Sequence, residues 1–262
     1  MSKSFVWGFI VGVALLIVAG VGASRLQDKN AVVKERNEKQ YRTEIVDATL
    51  VQLGVLTQKQ RFHSKLHNGV GMRVDGKTIS EWMASYKGQR VFIGTDILGR
   101  RFLASDQLET PEDFFGRLAL ESDAVIRGRI TGKTSQITED DAFLFTDYDV
   151  VVSEIFQNNL TAPIDRGATI TFTSLGGKIV LDDVIMKAGG TGQILYPISN
   201  QDILLFLKFI PETGSYKLTR DTGSFELNGA SVRPFAGLFP LPPGVFKDEV
   251  SFLKVISAIS NK

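Results

Sequence analysis

The chain has 262 residues, of which 43% are hydrophobic and 23% charged, a composition ordinary for a globular protein. Thirty basic residues balance 29 acidic ones, so the sequence lacks the basic excess that is typical of nucleic-acid-binding proteins. The absence of cysteine excludes disulfides, thiolate metal sites and cysteine nucleophiles.

An apolar segment lies near the start of the chain, where Phe5–Ala23 runs for nineteen residues without a charge. A helix of about 20 such residues spans the hydrocarbon core of a bilayer. Residues 1–23 are therefore predicted to be a transmembrane anchor or a signal peptide. The small residues Val21–Ala23 before Ser24 favour cleavage, whereas the length of the apolar run favours retention.

Residues 24–42 are polar and predict a charged helical stalk. Six basic and three acidic residues lie between Arg25 and Arg42, and such a positive flank tends to stay in the cytoplasm. Two orientations are therefore open. We expect an exported domain, for the reason of resemblance given below, and the alternative is an adaptor that faces the cytoplasm.

Residues 43–119 predict a mixed α+β region. The apolar stretch Tyr41–Leu56 fits either a strand or a continuing helix. Thr57 and Gln60 have capping-box spacing and predict a short helix that ends near Leu66. A short strand is expected over Arg90–Ile93.

A second helix is predicted from the dipeptide Thr110-Pro111, which places an N-cap hydroxyl before a proline at the first helical position. This helix should end near Ser122 and turn three apolar side chains inward: Phe114, Phe115 and Leu118.

Residues 120–235 predict a small OB-like β-barrel of five or six strands separated by Gly-rich turns. The predicted strands are Ala124–Ile130, Thr146–Phe156, Ala168–Thr173, Lys178–Ile185, Ile203–Ile210 and Tyr216–Thr219. The nearly continuous apolar run of Ile203–Ile210 indicates a central strand that is buried on both faces.

Alternation within two of these strands predicts which side chains face the core. Ala124, Ile126 and Ile130 share one face of their strand, and Ile170 and Phe172 should lie inside theirs. The intervening residues Arg127 and Arg129 are expected to point to water, where they are candidates for a binding surface.

Residues 236–262 predict a Pro/Gly linker followed by a C-terminal amphipathic helix. Its apolar face is expected to hold Phe246, Val250, Leu253, Val255, Ile256 and Ile259.

Two motifs match catalytic or nucleotide-binding patterns. Gly71–Thr78 fits the phosphate-binding loop G-x-x-x-x-G-K-[ST], but no buried parallel strand is expected before it. Ser251–Lys254 fits the S-x-x-K pattern of acyl enzymes, but it lies in the C-terminal helix without the companion motifs. We interpret both as structural.

His63 and His67 are four residues apart on the first predicted helix of the soluble region, the spacing of two zinc ligands on one helix face. Position 64 is Ser, so the glutamate of H-E-x-x-H is missing. We interpret both histidines as surface residues.

An acidic group formed by Glu139–Asp141, Asp147 and Asp149 could gather oxygens around calcium, but its spacing is irregular and a solvated hairpin tip is the simpler interpretation. Asn159 opens a glycosylation sequon. No residue is therefore assigned as catalytic, cofactor-binding or metal-binding, and no cofactor is expected.

Residues 122–225 resemble a group of bacterial envelope proteins in Ser122–Gly128, Phe145–Tyr148 and Ile210–Gly214. The order of the strands is also similar to the netrin-like domain of metalloproteinase inhibitors. That resemblance implies an OB-type barrel in an extracytoplasmic setting. Those inhibitors act through an N-terminal cysteine, which this chain lacks, so their activity is not implied.

The sequence thus predicts a membrane-anchored or exported envelope protein, mainly β within an overall α+β fold. We expect a non-enzymatic binding or scaffolding module, tethered to a membrane and joined to an unidentified protein or small molecule. The alternative is a membrane-anchored hydrolase whose catalytic carboxylates are scattered along the sequence.

Overall fold

A computed structural model describes residues 33–46, 48–52, 54–68, 77–97, 111–190, 200–220, 222–235 and 248–260. The apolar segment Phe5–Ala23, residues Gly71–Gly76 of the phosphate-loop match, the predicted N-cap Thr110 and the linker Gly237–Gly244 lie outside these ranges. Among the described residues, no helix combines the length and the apolar character needed to cross a bilayer.

The described chain is an α+β fold in which strands predominate. The helices are α1 (residues 33–45), α2 (Gln58–His67), α3 (Ile79–Ala84), α4 (Pro111–Glu121) and α5 (Glu249–Ser260). The strands are β1 (Thr49–Leu50), β2 (Val91–Ile97), β3 (Ala124–Ile137), β4 (Leu144–Gln157), β5 (Thr169–Leu175), β6 (Gly177–Leu181), β7 (Val184–Gly190), β8 (Asp202–Ile210), β9 (Ser215–Leu218), β10 (Ser224–Leu227) and β11 (Val232–Pro234).

The larger sheet has seven strands in the order β11-β10-β8-β3-β4-β5-β9. Strand β9 pairs in parallel with β5 and also pairs antiparallel with β8. All other neighbours in this sheet are antiparallel. One short strand thus joins two strands that are not neighbours in the sheet order.

Strands β3 and β4 each run for 14 residues and bend around the core. Their pairing register shifts at three points, one of them between Arg127 and Gly128. Such bulges let a long strand curve, and glycine permits close backbone approach at the bend. The concave side of the sheet encloses a core that includes Ile126, Ile130, Tyr148, Val150, Phe172, Ile203, Leu205 and Tyr216.

A second core lies on the opposite face of β8, where α4 and α5 pack. Phe115 is fully buried there, with ring centroids 5.5 Å from Phe225 and 5.5 Å from Phe252. Strand β8 is therefore covered on both faces, as its apolar sequence predicts. Leu204 and Phe206 face the helices, while Leu205 faces the concave core.

A smaller sheet has the order β1-β6-β7-β2 and packs with α3 around a third core. Helix α1 lies against this sheet through Tyr41, which is 7% exposed and packs with Val180 and Ile185. An ion pair of 2.6 Å joins Lys178 of β6 to Glu44 of α1. The charged helix that follows the apolar N-terminal segment is thus fixed to the domain.

Most element predictions are confirmed. The capping box at Thr57 is present, α4 buries Phe114, Phe115 and Leu118, and Ala124, Ile126 and Ile130 are fully buried. The stretch Tyr41–Leu56 begins as the end of α1 and contains β1.

The single strand predicted over Lys178–Ile185 is wrong, because the structure has a hairpin there. Strands β6 and β7 are joined by Asp182 and Asp183, which both have positive φ, 48° and 65°. Two central residues with φ above zero make the tight turn that suits a two-residue hairpin.

The predicted apolar face of the C-terminal helix also needs correction. Val250 is 62% exposed, whereas Phe252, which the pattern left out, is fully buried together with Ile256. Leu253, Ile256 and Ile259 of the predicted face do pack in the second core, and Phe246 lies outside the described residues.

Candidate functional site

A cluster of hydrogen-bonded polar side chains is built around His63 on α2. The hydroxyl of Thr57 accepts a hydrogen bond from the Gln60 N–H, and the Gln60 side chain accepts one from the Thr57 N–H. This reciprocal cap fixes where α2 begins. It thereby sets which side chains of α2 face the larger sheet.

His63 is fully buried, so the prediction of a surface histidine is wrong. Its Nδ1 lies 2.7 Å from Asp147 Oδ1 on β4, and its Nε2 lies 2.7 Å from Ser215 Oγ on β9. Because a carboxylate oxygen only accepts, Nδ1 carries the proton and donates it to Asp147. In the neutral imidazole Nε2 is then an acceptor for a hydroxyl.

Two hydroxyls complete the cluster. Thr213 Oγ1 lies 3.2 Å from His63 Nε2 and 2.6 Å from Ser215 Oγ. A hydroxyl both donates and accepts, so the Thr213 hydroxyl can donate to Ser215 while Ser215 donates to His63. The hydrogen bonds then run from Thr213 to Ser215, from Ser215 to His63 and from His63 to Asp147, so both hydroxyls and both ring nitrogens have a partner.

His67, one turn further along α2, is also largely removed from water, contrary to the prediction for it. Its Nε2 lies 3.3 Å from Thr173 Oγ1 on β5, and its ring stacks on Phe145 with centroids 6.1 Å apart. Burial lowers the pKa of His67 to about 4, an effect that the nearby Asp147 carboxylate opposes and His63 and Lys217 reinforce.

Helix α2 therefore faces the sheet with polar groups. Its two fully buried residues are His63 and Ser64. The Ser64 hydroxyl accepts a 2.5 Å hydrogen bond from the Glu139 N–H at the β3–β4 turn. Hydrogen bonds to β4, β5, β9 and this turn therefore fix the position of α2 on the sheet.

The order Ser215–His63–Asp147 has the connectivity of a catalytic triad, in which a base accepts from a nucleophile and a carboxylate orients the base. Both links are 2.7 Å, which is within hydrogen-bond reach. Ser215 is nevertheless fully buried. A substrate carbonyl therefore cannot reach the Ser215 hydroxyl while α2 is packed on the sheet.

The phosphate-loop match lacks the context that its chemistry needs. Helix α2 ends at His67 shortly before the motif, where a buried strand would be required. Thr78 serves as the N-cap of α3, and its hydroxyl accepts from the Glu81 N–H. Its side chain is thus engaged in helix capping.

The S-x-x-K match is likewise structural. The Ser251 hydroxyl donates to Asp248 Oδ2 at 2.9 Å, and the Ser251 N–H donates to Asp248 Oδ1 at 2.8 Å. These hydrogen bonds hold the pKa of Asp248 below its usual value. The serine lies in the first turn of α5 and Lys254 is exposed.

The acidic residues of the calcium alternative have separate partners. Asp147 binds His63, Asp149 accepts from the Thr171 hydroxyl, and Asp141 accepts from the Ser80 N–H. Within the described ranges no three His, Cys, Asp or Glu side chains are grouped to hold a metal ion.

Asn159 of the sequon is 3% exposed. Its side chain accepts from the N–H groups of Thr161 and Ala162 and donates to the Tyr216 hydroxyl. A glycan needs an exposed amide nitrogen, so the sequon is a loop-forming element here.

The two arginines proposed as a binding surface are held by carboxylates. Arg127 has 26% of its side chain exposed and pairs with Glu249 at 2.7 Å and with Asp202 at 3.6 Å. Arg129 is 58% exposed and pairs with Asp202 at 2.9 Å. Arg129 is exposed as predicted, whereas Arg127 is only partly exposed and joins α5 to β3 through Glu249.

A cavity of about 330 Å³ opens beside α2, between the β3–β4 turn, α3 and the segment that follows β1. Its lining includes Val51, Leu56 and Ile137 together with Arg61, Glu139 and Asp141. It joins apolar side chains to exposed charges on one concave surface.

Sequence reasoning missed the His63 cluster because its members are far apart in the chain. Asp147 is 84 residues from His63, and Ser215 is 152 residues from it. Within α2 the apolar residues are Phe62 and Leu66, which is too few to predict that His63 and Ser64 are the buried positions.

Comparison with known proteins adds no assignment to this geometry. Neither a scan against protein-family models nor a search of curated proteins finds a match to the chain.

Proposed function

We propose that this protein is a non-enzymatic binding or scaffolding module, held at a membrane by residues 1–23 and exposed on the extracytoplasmic side. The observation that carries the non-enzymatic part is the burial of Ser215. In the constellation with the most catalytic connectivity, Ser215 and His63 are fully buried, and its hydrogen bonds join α2 to β4 and β9. Such a network stabilises a unique arrangement of elements.

An OB-type barrel is the architecture that we infer for this module. The ring of pairings β3–β4–β5–β9–β8–β3 supports it, with β5 and β9 as its parallel pair. The enclosed core of Ile126, Tyr148 and Leu205 also supports it. Barrels of this type act as binding modules through a sheet face and its loops, although fold alone does not fix function.

The membrane tether rests on the sequence of Phe5–Ala23 and gains support from α1. This helix follows the apolar segment and is fastened to the domain by Tyr41 and by the Glu44–Lys178 pair. A helix that is fastened to the domain and follows the apolar segment in the sequence suits a scaffold held close to a membrane.

Protease accessibility in intact cells and in permeabilised envelopes tests the location. We expect the C-terminal domain to become cleavable once the outer barrier is opened. Protection until the inner membrane is breached would instead place the domain in the cytoplasm. N-terminal sequencing separates a mature start at Ser24, which means release, from a retained Phe5–Ala23 segment, which means anchoring.

A serine hydrolase is the second candidate, favoured only by the 2.7 Å links in Ser215–His63–Asp147. It requires α2 to expose Ser215 while His63 stays in reach. A fluorophosphonate probe followed by peptide mass spectrometry distinguishes the two functions. Labelling of Ser215 in the folded protein, lost in Ser215→Ala, would establish the hydrolase and overturn the non-enzymatic proposal.

A further inference from the structure

The cavity beside α2 has walls that are fixed by hydrogen bonds from several elements. At the β3–β4 turn, the N–H groups of Ala142 and Phe143 both donate to the Thr138 hydroxyl. The same turn is joined to α3, because Asp141 accepts from the N–H groups of Ser80 and Ile79. The cavity is thus present before any ligand arrives, which lowers the ordering cost of binding.

Three of the residues that line the cavity are apolar: Val51, Leu56 and Ile137. Val51 is 4% exposed and Ile137 is 9% exposed, so both present a small, fixed hydrocarbon surface. Leu56 continues this surface toward the rim. A ligand that rests here must bring an apolar stem.

The rim carries charge that is only loosely paired. Glu139 and Arg61 approach to 3.9 Å, the outer limit of an ion pair, and their side chains are 42% and 56% exposed. Asp141 adds a second carboxylate to the lining. Two carboxylates against one guanidinium leave a net negative rim. Arg61 is held by this exposed pair, which contributes little, and by a long hydrogen bond of 3.4 Å from its Nε to the Leu56 carbonyl oxygen.

We propose that this cavity binds a primary alkylammonium group, with the alkyl stem against Val51 and Ile137 and the ammonium at Glu139. An ammonium offers three donors and no acceptor, which matches a carboxylate rim. Its methylene stem packs on apolar surface while the charge stays at the opening. A lysine side chain of a partner chain and a free aliphatic diamine share this chemistry.

This inference deepens the proposed binding function, on which it rests, by naming the ligand chemistry of one site. Its test uses the full chain in detergent with methyl-labelled Val, Leu and Ile. Nα-acetyl-lysine methylamide and 1,5-diaminopentane are titrated separately, with Nα-acetyl-norleucine methylamide as the uncharged analogue. We expect saturable shifts of the Val51, Leu56 and Ile137 methyl signals for the ammonium probes, and much weaker ones for norleucine.

Two substitutions at the rim should act in opposite directions. Glu139→Gln should weaken binding about tenfold, since a charge-assisted hydrogen bond is lost. Arg61→Gln should strengthen it about two- to fivefold, because a competing cation is removed. Glu154→Gln, the same change at an exposed carboxylate of β4, is the matched control and should leave binding unchanged.

The relative affinity of the two probes identifies the source of the ligand. Tighter binding of the lysine derivative supports a partner's side chain, and tighter binding of the diamine supports a free polyamine-like ligand. Equal shifts with norleucine, or no effect of Glu139→Gln, would overturn the proposal. Neither result depends on cellular location or on Ser215 labelling, so failure here is distinguishable from failure of the proposed function.

Discussion

His63 Nδ1 donates to Asp147 Oδ1 across a distance of 2.7 Å, although the two residues are 84 positions apart in the chain. The imidazole has no exposed surface, and the Asp147 side chain is 11% exposed. This contact joins α2 to β4, one of the two longest strands of the larger sheet. The folded state therefore depends on it in ways that can be measured.

Replacing His63 should destabilise the fold without affecting α2 as a helix. His63→Ala removes a buried ring and leaves Asp147 and Ser215 without their partner, which should cost about 2–4 kcal/mol. Lys65→Ala, at an exposed site on the same helix, should change stability by less than about 0.5 kcal/mol. Urea denaturation measures both, and similar values for the two variants would show that the cluster contributes no stability.

Stability should fall in acid because of His67. The pKa of His67 is about 4 in the folded protein, below the ordinary histidine value of 6.5 that applies to the unfolded chain. The unfolded chain therefore binds the proton more tightly than the folded protein does. Folding stability attributable to this residue is therefore full above pH 6.5 and is lost as the pH falls toward 4. At about 1.4 kcal/mol per pKa unit, the loss approaches about 3 kcal/mol.

The measurement is denaturant unfolding at several pH values across this window for the wild type and for His67→Gln. The neutral side chain of the variant cannot take up a proton, so its pH profile should be flatter. Parallel profiles for the two proteins would assign the acid sensitivity to other groups.

Two glycine-to-alanine substitutions should have opposite signs. A Cβ at Gly128 would lie 2.4 Å from Val150 Cγ1 and 2.7 Å from the Val151 carbonyl oxygen, so Gly128→Ala should cost about 2–3 kcal/mol. Gly116 lies within α4 with nothing near its would-be Cβ, so Gly116→Ala should stabilise by about 0.5–1 kcal/mol. Thermal unfolding reads out both, and a tolerated alanine at Gly128 would contradict the close strand approach.

Helix α5 should depend on one aromatic ring. Phe252 is fully buried against Phe115 and Phe225, so Phe252→Ala should cost about 3–5 kcal/mol. Val250→Ala on the same helix is the control, because Val250 is 62% exposed and its loss should change stability by less than about 0.5 kcal/mol. Hydrogen exchange of α5 and denaturant unfolding distinguish a docked helix from one that is attached only weakly.

The strands that were predictable are those whose burial follows a simple period. Alternation identified β3 and β5, and the continuous apolar run identified β8 because α4 and α5 cover its second face. The β6–β7 hairpin was missed because its turn is made by Asp182 and Asp183, without the glycine that usually marks positive φ. Aspartate reaches this conformation through its short polar side chain.

The candidate sites were harder to predict than the strands. A lone i,i+4 histidine pair indicates a surface or a metal helix, and only the docking of α2 on Asp147, Thr173 and Ser215 reveals a buried network. The cavity depends on the same docking, because Arg61 of α2 and Glu139 of the β3–β4 turn form its rim. The buried network and the cavity both arise from contacts between residues far apart in the chain, which local sequence patterns do not reveal.

The polar character of the α2 interface has a consequence during synthesis. His63 leaves the ribosome 152 residues before Ser215, a gap of about 8–30 s at about 5–20 residues per second. During that interval β9, which provides Ser215 as a partner for His63, has not yet been synthesised. An apolar face would be an aggregation hazard over such a delay, whereas His63 and Ser64 can be hydrated until β9 emerges.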